Sequence, residues 1–486
     1  MGARFLRLGD LLYGLPARLI AGDETTEIIA ITPDSREARP GVMFAAIPGA
    51  KLDGANFIAD AVRRGAPAVL AAPGAPIAGA LAIEAADPRS VLAHCAARLA
   101  GSLPRVIAAV TGTNGKTSTV DFLRQIWLAA DIPAASIGTL GVVTAHSATK
   151  PGLTTPDPVT LANTLAGLVS QAIDYVALEA SSHGLDQKRL DGLKLAAGGF
   201  TNLTRDHLDY HANMQAYAAA KLRLFSELLP DDASVVANTA LTEPTMSQLR
   251  AIATGRAMIF ETVGVGGTLI NLKRVTPFAH GQSLELETID GPVEVLLPLA
   301  GRYQVDNALL AAGLAITLLT QNVLHALLTL KGVRGRLEMV DRLSKGGAAY
   351  VDYAHTPDAL TNLLQSLRPH CAGRLILVFG AGGDRDPGKR PLMGEVAETL
   401  ADIAIITDDN PRGEDPKSIR DAIRAGCPKA LEFGDRRQAI AEALEMAGHE
   451  DIVVVAGKGH EQGQIVGGET LPFDDASVIR ELLGAA

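Results

Sequence analysis

The sequence predicts an α/β protein of three domains, with parallel sheets in its central and C-terminal parts and a smaller α/β unit ahead of them. Three observations carry this. The chain has 486 residues, too many for one hydrophobic core, and about 150 residues per domain gives roughly three domains. Continuous apolar runs alternate with helical stretches, the pattern of parallel strands covered by helices. The stretch "VIAAVTGTNGKTSTV", residues 106–120, joins one such strand to a helix through a glycine loop. The expected segments are 1–103, 104–335 and 336–486.

In the first segment, "GVMFAAI", "APAVLAA" and "GALAIEA" read as buried strands, with helical "FIADAVRRG" between two of them. The uncharged run from Ala66 to Ile83 approaches membrane-span length. It contains Pro67, Pro73, Pro76, Gly74 and Gly79, so it reads as strand, turn, strand. A boundary falls in "AGSLPR", residues 100–105, where glycine, serine and proline punctuate the chain.

The second segment alternates strands "RVIAAV", "YVALEA", "AAGGFTN" and "SVVANT" with helical sequence such as "STVDFLRQIWLAA". Near its end, "SLELETIDGPVEVLLPL" alternates as paired strands do around Asp290-Gly291, a hairpin signal. An apolar helix follows Tyr303. The third segment begins at "GRLEMV" and carries "AAYVDY", "RLILVFGAGGD", "IAIITDDNPR" and "DIVVVAGKGHE". The last four are apolar strands ending in polar, mostly glycine-containing loops. Open parallel sheets bind ligands beyond the carboxyl ends of their strands, so these four loops are expected to converge.

Composition narrows the function. The chain is 47% hydrophobic and 20% charged, as in a globular enzyme, and its net charge of -10 disfavours nucleic-acid binding. Cys95, Cys371 and Cys427 are far apart with no C-x-x-C pair, which points away from a disulfide framework or zinc site and toward a reducing compartment. The start lacks a signal-peptide pattern, and position 6 is Leu6, outside the myristoylation pattern. The expectation is a cytoplasmic protein with no membrane partner.

The loop "TGTNGKTS" departs from the common phosphate loop, which would need glycine at Val110. It keeps a strand, a glycine turn and a helix start, so backbone N–H groups and the helix dipole can meet phosphate oxygens. Lys116 would neutralise the β- and γ-phosphates and the Thr117 hydroxyl would ligate Mg²⁺; the plain alternative is a tight turn with a solvated lysine. Glu179 ends a strand of the same sheet and is a natural second Mg²⁺ ligand, or equally an edge-of-core glutamate. His207 and His211 lie four apart, but the glutamate of a zinc-protease motif and a third ligand are missing. Lys221 alone reads as a surface lysine. Gly380 and Gly382 fit the start of a dinucleotide fingerprint, but Arg385 stands at its last position, which disfavours a bound dinucleotide. Arg385 and Arg412 instead suit bidentate grip on carboxylates, with Asp409 and Glu461 for an ammonium group; the alternative is a surface ion-pair network.

Taken together, "TGTNGKTS", "EASSHG", "TNLTRDHLDYH", "GRYQVDNALLA" and "DYAHTPDAL" resemble the Mur ligase family across essentially the whole chain, in collinear order. "TTPD", "SSHGLDQKR", "GGDRDPGKRPLM", "DDNPR" and "GKGHE" resemble the diaminopimelate-adding branch of that family. The resemblance implies a UDP-binding N-terminal domain, a central P-loop-type ATPase and a C-terminal Rossmann-like domain that brings an amino acid. It implies an ATP- and Mg²⁺-dependent ligase. The D-glutamate γ-carboxylate of UDP-N-acetylmuramoyl-L-alanyl-D-glutamate is phosphorylated, and the amine of meso-2,6-diaminopimelate then attacks. By the same resemblance, Gly112, Thr113, Asn114, Gly115, Lys116, Thr117 and Ser118 hold ATP, with Asn307, Arg336 and Asp352 as further nucleotide contacts. Thr117, Glu179, His207 and a carbamylated Lys221 surround the metals, and Lys116, Glu179, His207 and Lys221 form the catalytic set. The muramyl substrate matches Ser35, Ala50, Lys51, Leu52, Thr154, Thr155, Ser181, Gln187 and Arg189. The diaminopimelate matches Arg385, Asp409, Asn410, Pro411, Arg412, Gly457 and Glu461. Arg412 would meet the distal carboxylate that lysine lacks; a lost charged hydrogen bond costs about 1.5–3 kcal/mol. The expected assembly is a monomer. Pro156, Asp157 and Ala50 depart from the pattern and touch only details of substrate contact. Two other readings stay open here: a folylpolyglutamate-synthase-like ligase, which should lack the "DNPR" stretch and a UDP-binding domain, and a non-catalytic nucleotide-binding scaffold.

Overall fold

A computed structural model describes residues 5–49, 53–149, 152–204, 206, 210–321 and 323–484. The chain forms two compact units, Met1–Gly267 with Leu310–Gln321, and Thr268–Leu309 with Asn322–Ala486. This grouping differs from the three segments expected from sequence, and packing explains it. The helix Pro88–Ala100 of the first segment lies against Pro158–Ser170 of the second. Across that seam the Ser90 hydroxyl donates to Asp191 Oδ2 at 2.8 Å. At the other boundary, the Tyr350 hydroxyl donates to the Ala279 carbonyl at 2.9 Å. The Gly301 N–H donates to His370 Nε2 at 2.9 Å. The strands before residue 300 therefore group with the C-terminal sheet.

Beside a two-stranded pairing of Leu6–Arg7 with Glu27–Ile28, the first unit holds two larger sheets. One has five strands in the order Ala17–Ala21, Leu81–Ala85, Ala68–Ala71, Val42–Ala45 and Ala30–Thr32, antiparallel only at the first pair. Within it the proline-punctuated run from Ala66 to Ile83 is indeed strand, turn and strand. The other sheet runs Gly141–Val143, Ala134–Gly138, Tyr175–Glu179, Val106–Thr111, Ala197–Phe200, Ser234–Asn238 and Ile259–Gly264. All its pairs are parallel except the first. Apart from the half-buried Val106 and Tyr175 at two strand starts, its central strands are buried, which is why they read as unbroken apolar runs. The parallel register puts the ends of Val106–Thr111, Tyr175–Glu179 and Ala197–Phe200 at one edge, and the phosphate loop, Glu179 and Thr201 follow there.

The second unit has an antiparallel trio, Ile270–Phe278, Gly281–Thr288 and Gly291–Leu297. The hairpin is where the sequence put it, but Thr288 pairs with Gly291, so Ile289-Asp290 are the turn residues, one step earlier than Asp290-Gly291. The main sheet runs Glu338–Arg342, Ala348–Asp352, Ile452–Ala456, Leu375–Phe379, Ile403–Ile406 and Leu431–Glu432, parallel except for its first strand. Alternate residues supply two cores: Leu375, Leu377 and Phe379 face one, Ile376 and Val378 the other. Helices close both faces, and the four apolar strands singled out in the sequence are neighbours, so their loops meet at one end. Among the described residues no helix is long and apolar enough to cross a membrane.

Candidate active site

In the first unit, the loop after Val106–Thr111 turns through Gly112 and Gly115, with φ of 141° and 84°. The helix Lys116–Ala129 starts there with Gly115 at its N-cap and no side-chain cap. With no side chain capping them, its first-turn N–H groups could meet an anion. Two loop amides are committed otherwise. The Thr113 N–H donates to the Asn202 carbonyl at 2.8 Å, and the Asn114 N–H to Asn202 Oδ1 at 3.0 Å. Asn202 braces the loop from the neighbouring strand end, helped by the Thr201 hydroxyl on the Asn114 carbonyl at 2.7 Å. The anion cradle is therefore the helix start rather than the whole loop.

Lys116 Nζ donates to the carbonyls of Gly112 and Thr113 at 2.9 and 2.8 Å. Lys221 Nζ donates to the same Gly112 carbonyl at 2.7 Å. Lys221 is no surface lysine: it is 1% exposed, on the helix Met214–Arg223, with its Nζ 4.5 Å from the Tyr217 ring centroid. Burial first, and the Lys116 charge second, push its pKa down to about 6. Its amine is therefore neutral near pH 7 and nucleophilic.

Glu179 is 1% exposed at the end of its strand. Its carboxylate accepts the Thr139 N–H at 2.8 Å and the Thr139 hydroxyl at 3.4 Å, and the Thr117 hydroxyl also bonds it. Burial raises its pKa, with Lys116 opposing. Gly138 makes this arrangement possible, because a Cβ there would collide with the Glu179 carboxylate. The Thr139 hydroxyl also lies 3.1 Å from that of Thr154. Thr139 and Asn202 escaped the sequence reading. The only hint of the first is a glycine closing a strand next to a buried acid. His207 lies outside the described residues, as do Ala50, Lys51 and Leu52. Among the described residues no group of three His, Cys, Asp or Glu could hold a metal.

Of the expected substrate contacts, Thr155 is fully buried, its hydroxyl donating to the Glu179 carbonyl at 2.8 Å and accepting the Ser181 N–H at 3.0 Å. It pins the loop rather than presenting a free group. Arg189 donates to the Thr155 carbonyl at 2.5 Å and to Gln187 Oε1 at 2.7 Å, which gathers Thr155, Ser181, Gln187 and Arg189. Ser35 stands apart in the short 3-10 turn Ser35–Glu37 that follows the edge strand Ala30–Thr32, its hydroxyl donating to Asp60 at 3.1 Å.

In the second unit, Asn307 donates to Gln304 at 3.2 Å, and Gln304 reaches the Arg336 carbonyl at 3.5 Å. The Arg336 guanidinium lies 4.9 Å from the Tyr353 ring. Asp352 accepts the Leu337 and Ala354 N–H groups at 2.6 and 2.8 Å, and burial raises its pKa. These three expected nucleotide contacts are thus neighbours.

The four loops of the six-stranded sheet meet as expected. The Gly457 N–H donates to the Asp352 carbonyl at 3.1 Å, and the Gly383 N–H to the Asn410 carbonyl at 2.9 Å. Arg412 has a left-handed φ of 52°. It is held there because its N–H donates to the Ile465 carbonyl at 3.0 Å and its carbonyl accepts the Gly467 N–H at 2.8 Å. Its guanidinium donates to the Gly383 carbonyl at 2.8 Å. Among the described residues neither Arg385 nor Arg412 has a carboxylate partner, while Glu461 pairs with Lys458 Nζ at 3.4 Å. Asn410 and Pro411 are buried rather than free ligand groups.

Comparison with known proteins follows this geometry. The families described as "Mur ligase family, catalytic domain", "Mur ligase middle domain" and "Mur ligase, glutamate ligase domain" match residues 27–99, 110–315 and 335–459. A UDP-N-acetylmuramoyl-L-alanyl-D-glutamate–2,6-diaminopimelate ligase of Caulobacter vibrioides is 52% identical, over 93% of this chain and 94% of its own. The ligase of the same name from Mesorhizobium japonicum is 51% identical over 98% and 99%. A solved structure with that ligase's name superposes with a TM-score of 0.80 at 31% identity, covering 99% of each chain.

Proposed function

The chain belongs to the Mur ligase family, and on that premise we propose that it is the ATP-dependent ligase that adds meso-2,6-diaminopimelate to UDP-N-acetylmuramoyl-L-alanyl-D-glutamate, a step of peptidoglycan precursor synthesis. The observation that carries the choice of amino acid is Arg412, held by backbone bonds with no carboxylate among the described residues to neutralise it. A guanidinium left without a counter-charge in this way favours an acceptor with a second carboxylate. The five-stranded N-terminal sheet and the "DNPR" stretch speak against a folate-type ligase, and the assembled buried groups against a scaffold.

ATP with Mg²⁺, when bound, supplies the phosphoryl group that turns the inert γ-carboxylate into an electrophile. The chain's own residues prepare for it. The open amides at the start of Lys116–Ala129 receive phosphate oxygens, and Lys116 exchanges the Gly112 and Thr113 carbonyls for them. Thr117 and Glu179 offer adjacent oxygens suited to a hard cation, with Glu179 fixed by Thr139. His207 is assigned a second ion. The neutral Lys221 amine adds CO₂, forming an N–C bond and releasing a proton, so a neutral buried amine becomes an anionic carbamate facing the same cluster. Ser35, Ala50, Lys51, Leu52, Thr154, Thr155, Ser181, Gln187 and Arg189 are assigned to the muramyl nucleotide. Asn307, Arg336 and Asp352 are assigned to ATP. Arg385 and Arg412 are assigned to the acceptor's carboxylate, and Asp409 and Glu461 to its ammonium. The functional domains are 1–103 for UDP, 104–335 for ATP and 336–486 for the amino acid, in a cytoplasmic monomer.

ADP release by the purified protein tests this. It should require both the muramyl dipeptide nucleotide and meso-diaminopimelate, and equal turnover with L-lysine sinks the specificity claim.

A further inference from the structure

We propose that Lys458 is a positioning and specificity-determining residue: its buried ammonium orients Glu461 through Asn410 and biases the amino-acid pocket toward an acceptor with two carboxylates. This rests on the functional reading above.

Lys458 follows Gly457 at the end of Ile452–Ala456, and its side chain is 0% exposed. Its Nζ donates to Asn410 Oδ1 at 3.0 Å and to Glu461 Oε2 at 3.4 Å. Asn410 Oδ1 also accepts the Ile465 N–H at 2.9 Å, and Asn410 Nδ2 donates to the same Glu461 Oε2 at 2.9 Å. The Asn410 side chain is thus fully engaged inward. Glu461 has both inner donors on one oxygen while its side chain is 35% exposed, so the carboxylate is held by one edge and offers the other. Lys458 itself is out of a ligand's reach and acts through these two residues.

The second fully buried cation here shows what a structural pair looks like. Arg436 meets Asp475 through two bonds of 2.8 and 2.7 Å, with both side chains 0% exposed, so its charge is cancelled on the spot. Lys458 has no such partner, because its one carboxylate neighbour belongs to the pocket and is shared with Asn410. Lys389 and Asp386 at the rim add no net charge. The pocket then counts three cations (Arg385, Arg412 and Lys458) against three anions (Asp409, Glu461 and Asp384, whose Oδ2 accepts the Gly413 N–H at 3.0 Å), so it is balanced only while Lys458 keeps its charge. Diaminopimelate brings two carboxylates for its two ammonium groups. Lysine brings one, and without the Lys458 charge the pocket's net negative charge would welcome its surplus positive one.

The test compares kcat/KM for meso-diaminopimelate and L-lysine, read as ADP release, in the wild type, Lys458→Met and Lys458→Gln. Both variants lose the charge, and glutamine keeps a donor for Asn410, so it stands in if the methionine variant folds poorly. The diaminopimelate-to-lysine ratio should fall about tenfold in each, the scale one unit charge sets across a pocket of effective dielectric about 20. KM for ATP should stay within about twofold of the wild type. A purely structural lysine would lower folded yield and leave the acceptor ratio alone, and that outcome overturns the proposal. A wild type releasing ADP with neither acceptor overturns the functional reading instead, and this inference with it.

Discussion

Replacing Lys221 with methionine should abolish turnover and yet stabilise the first unit, by an amount the structure sets. The amine's pKa is pushed from 10.5 to about 6 by burial and by Lys116. Between those values the unfolded chain binds a proton that the native chain does not, so wild-type stability rises with pH throughout that window. At about 1.4 kcal/mol per unit, the native state at pH 7.5 gives up about 4 kcal/mol to keep a neutral amine buried. Methionine has no proton to lose, so Lys221→Met should be more stable by roughly that amount at pH 7.5, and the gap should narrow by about 1.4 kcal/mol per unit toward pH 10. Trp127, the chain's single tryptophan, is fully buried in the first unit and reports its unfolding. Urea unfolding followed by tryptophan fluorescence from pH 7 to 9, in CO₂-free buffer so that no carbamate forms, measures the gap. A gap that stays constant with pH refutes the neutral-amine reasoning.

Other substitutions separate the parts of the site. Lys221→Ala should lose turnover and regain a part of it with short carboxylic acids, which replace the missing carbamate; full activity without them contradicts that role. Arg412→Ala should raise KM for diaminopimelate by about 10- to 100-fold, the worth of a charged hydrogen bond, with little change for ATP. A fall in ATP affinity would mean the loop is misplaced. Gly138→Ala puts a methyl group into the Glu179 carboxylate and should cost about 100-fold or more in turnover while nucleotide binding persists; wild-type turnover would show that Glu179 need not be held.

The strands of both parallel sheets were legible because two-sided burial writes them as unbroken apolar runs. The phosphate loop was legible because glycine and lysine sit between such a strand and a helix. Lys221 was not, since "YAAAKLRLF" looks like any exposed helix until the helix packs beside Gly112. Thr139, Asn202 and Lys458 were silent for a related reason: each makes a hydrogen bond to a residue distant in sequence, Lys458 to Asn410, which no local spacing encodes. Thr155 and Asn410 were noticed through family resemblance but turn out to brace their neighbours. The division at Gly267 was hidden because seam contacts such as Ser90 to Asp191 and Tyr350 to Ala279 span long stretches of chain.

A crystal grown with ADP, Mg²⁺ and meso-diaminopimelate gives the most direct measurement. Diphosphate density against the first-turn amides at Lys116, with one diaminopimelate carboxylate on Arg412 and an ammonium near Asp409 or Glu461, is the expected result. A vacant phosphate loop at saturating nucleotide, or diaminopimelate bound away from Arg385 and Arg412, would contradict it.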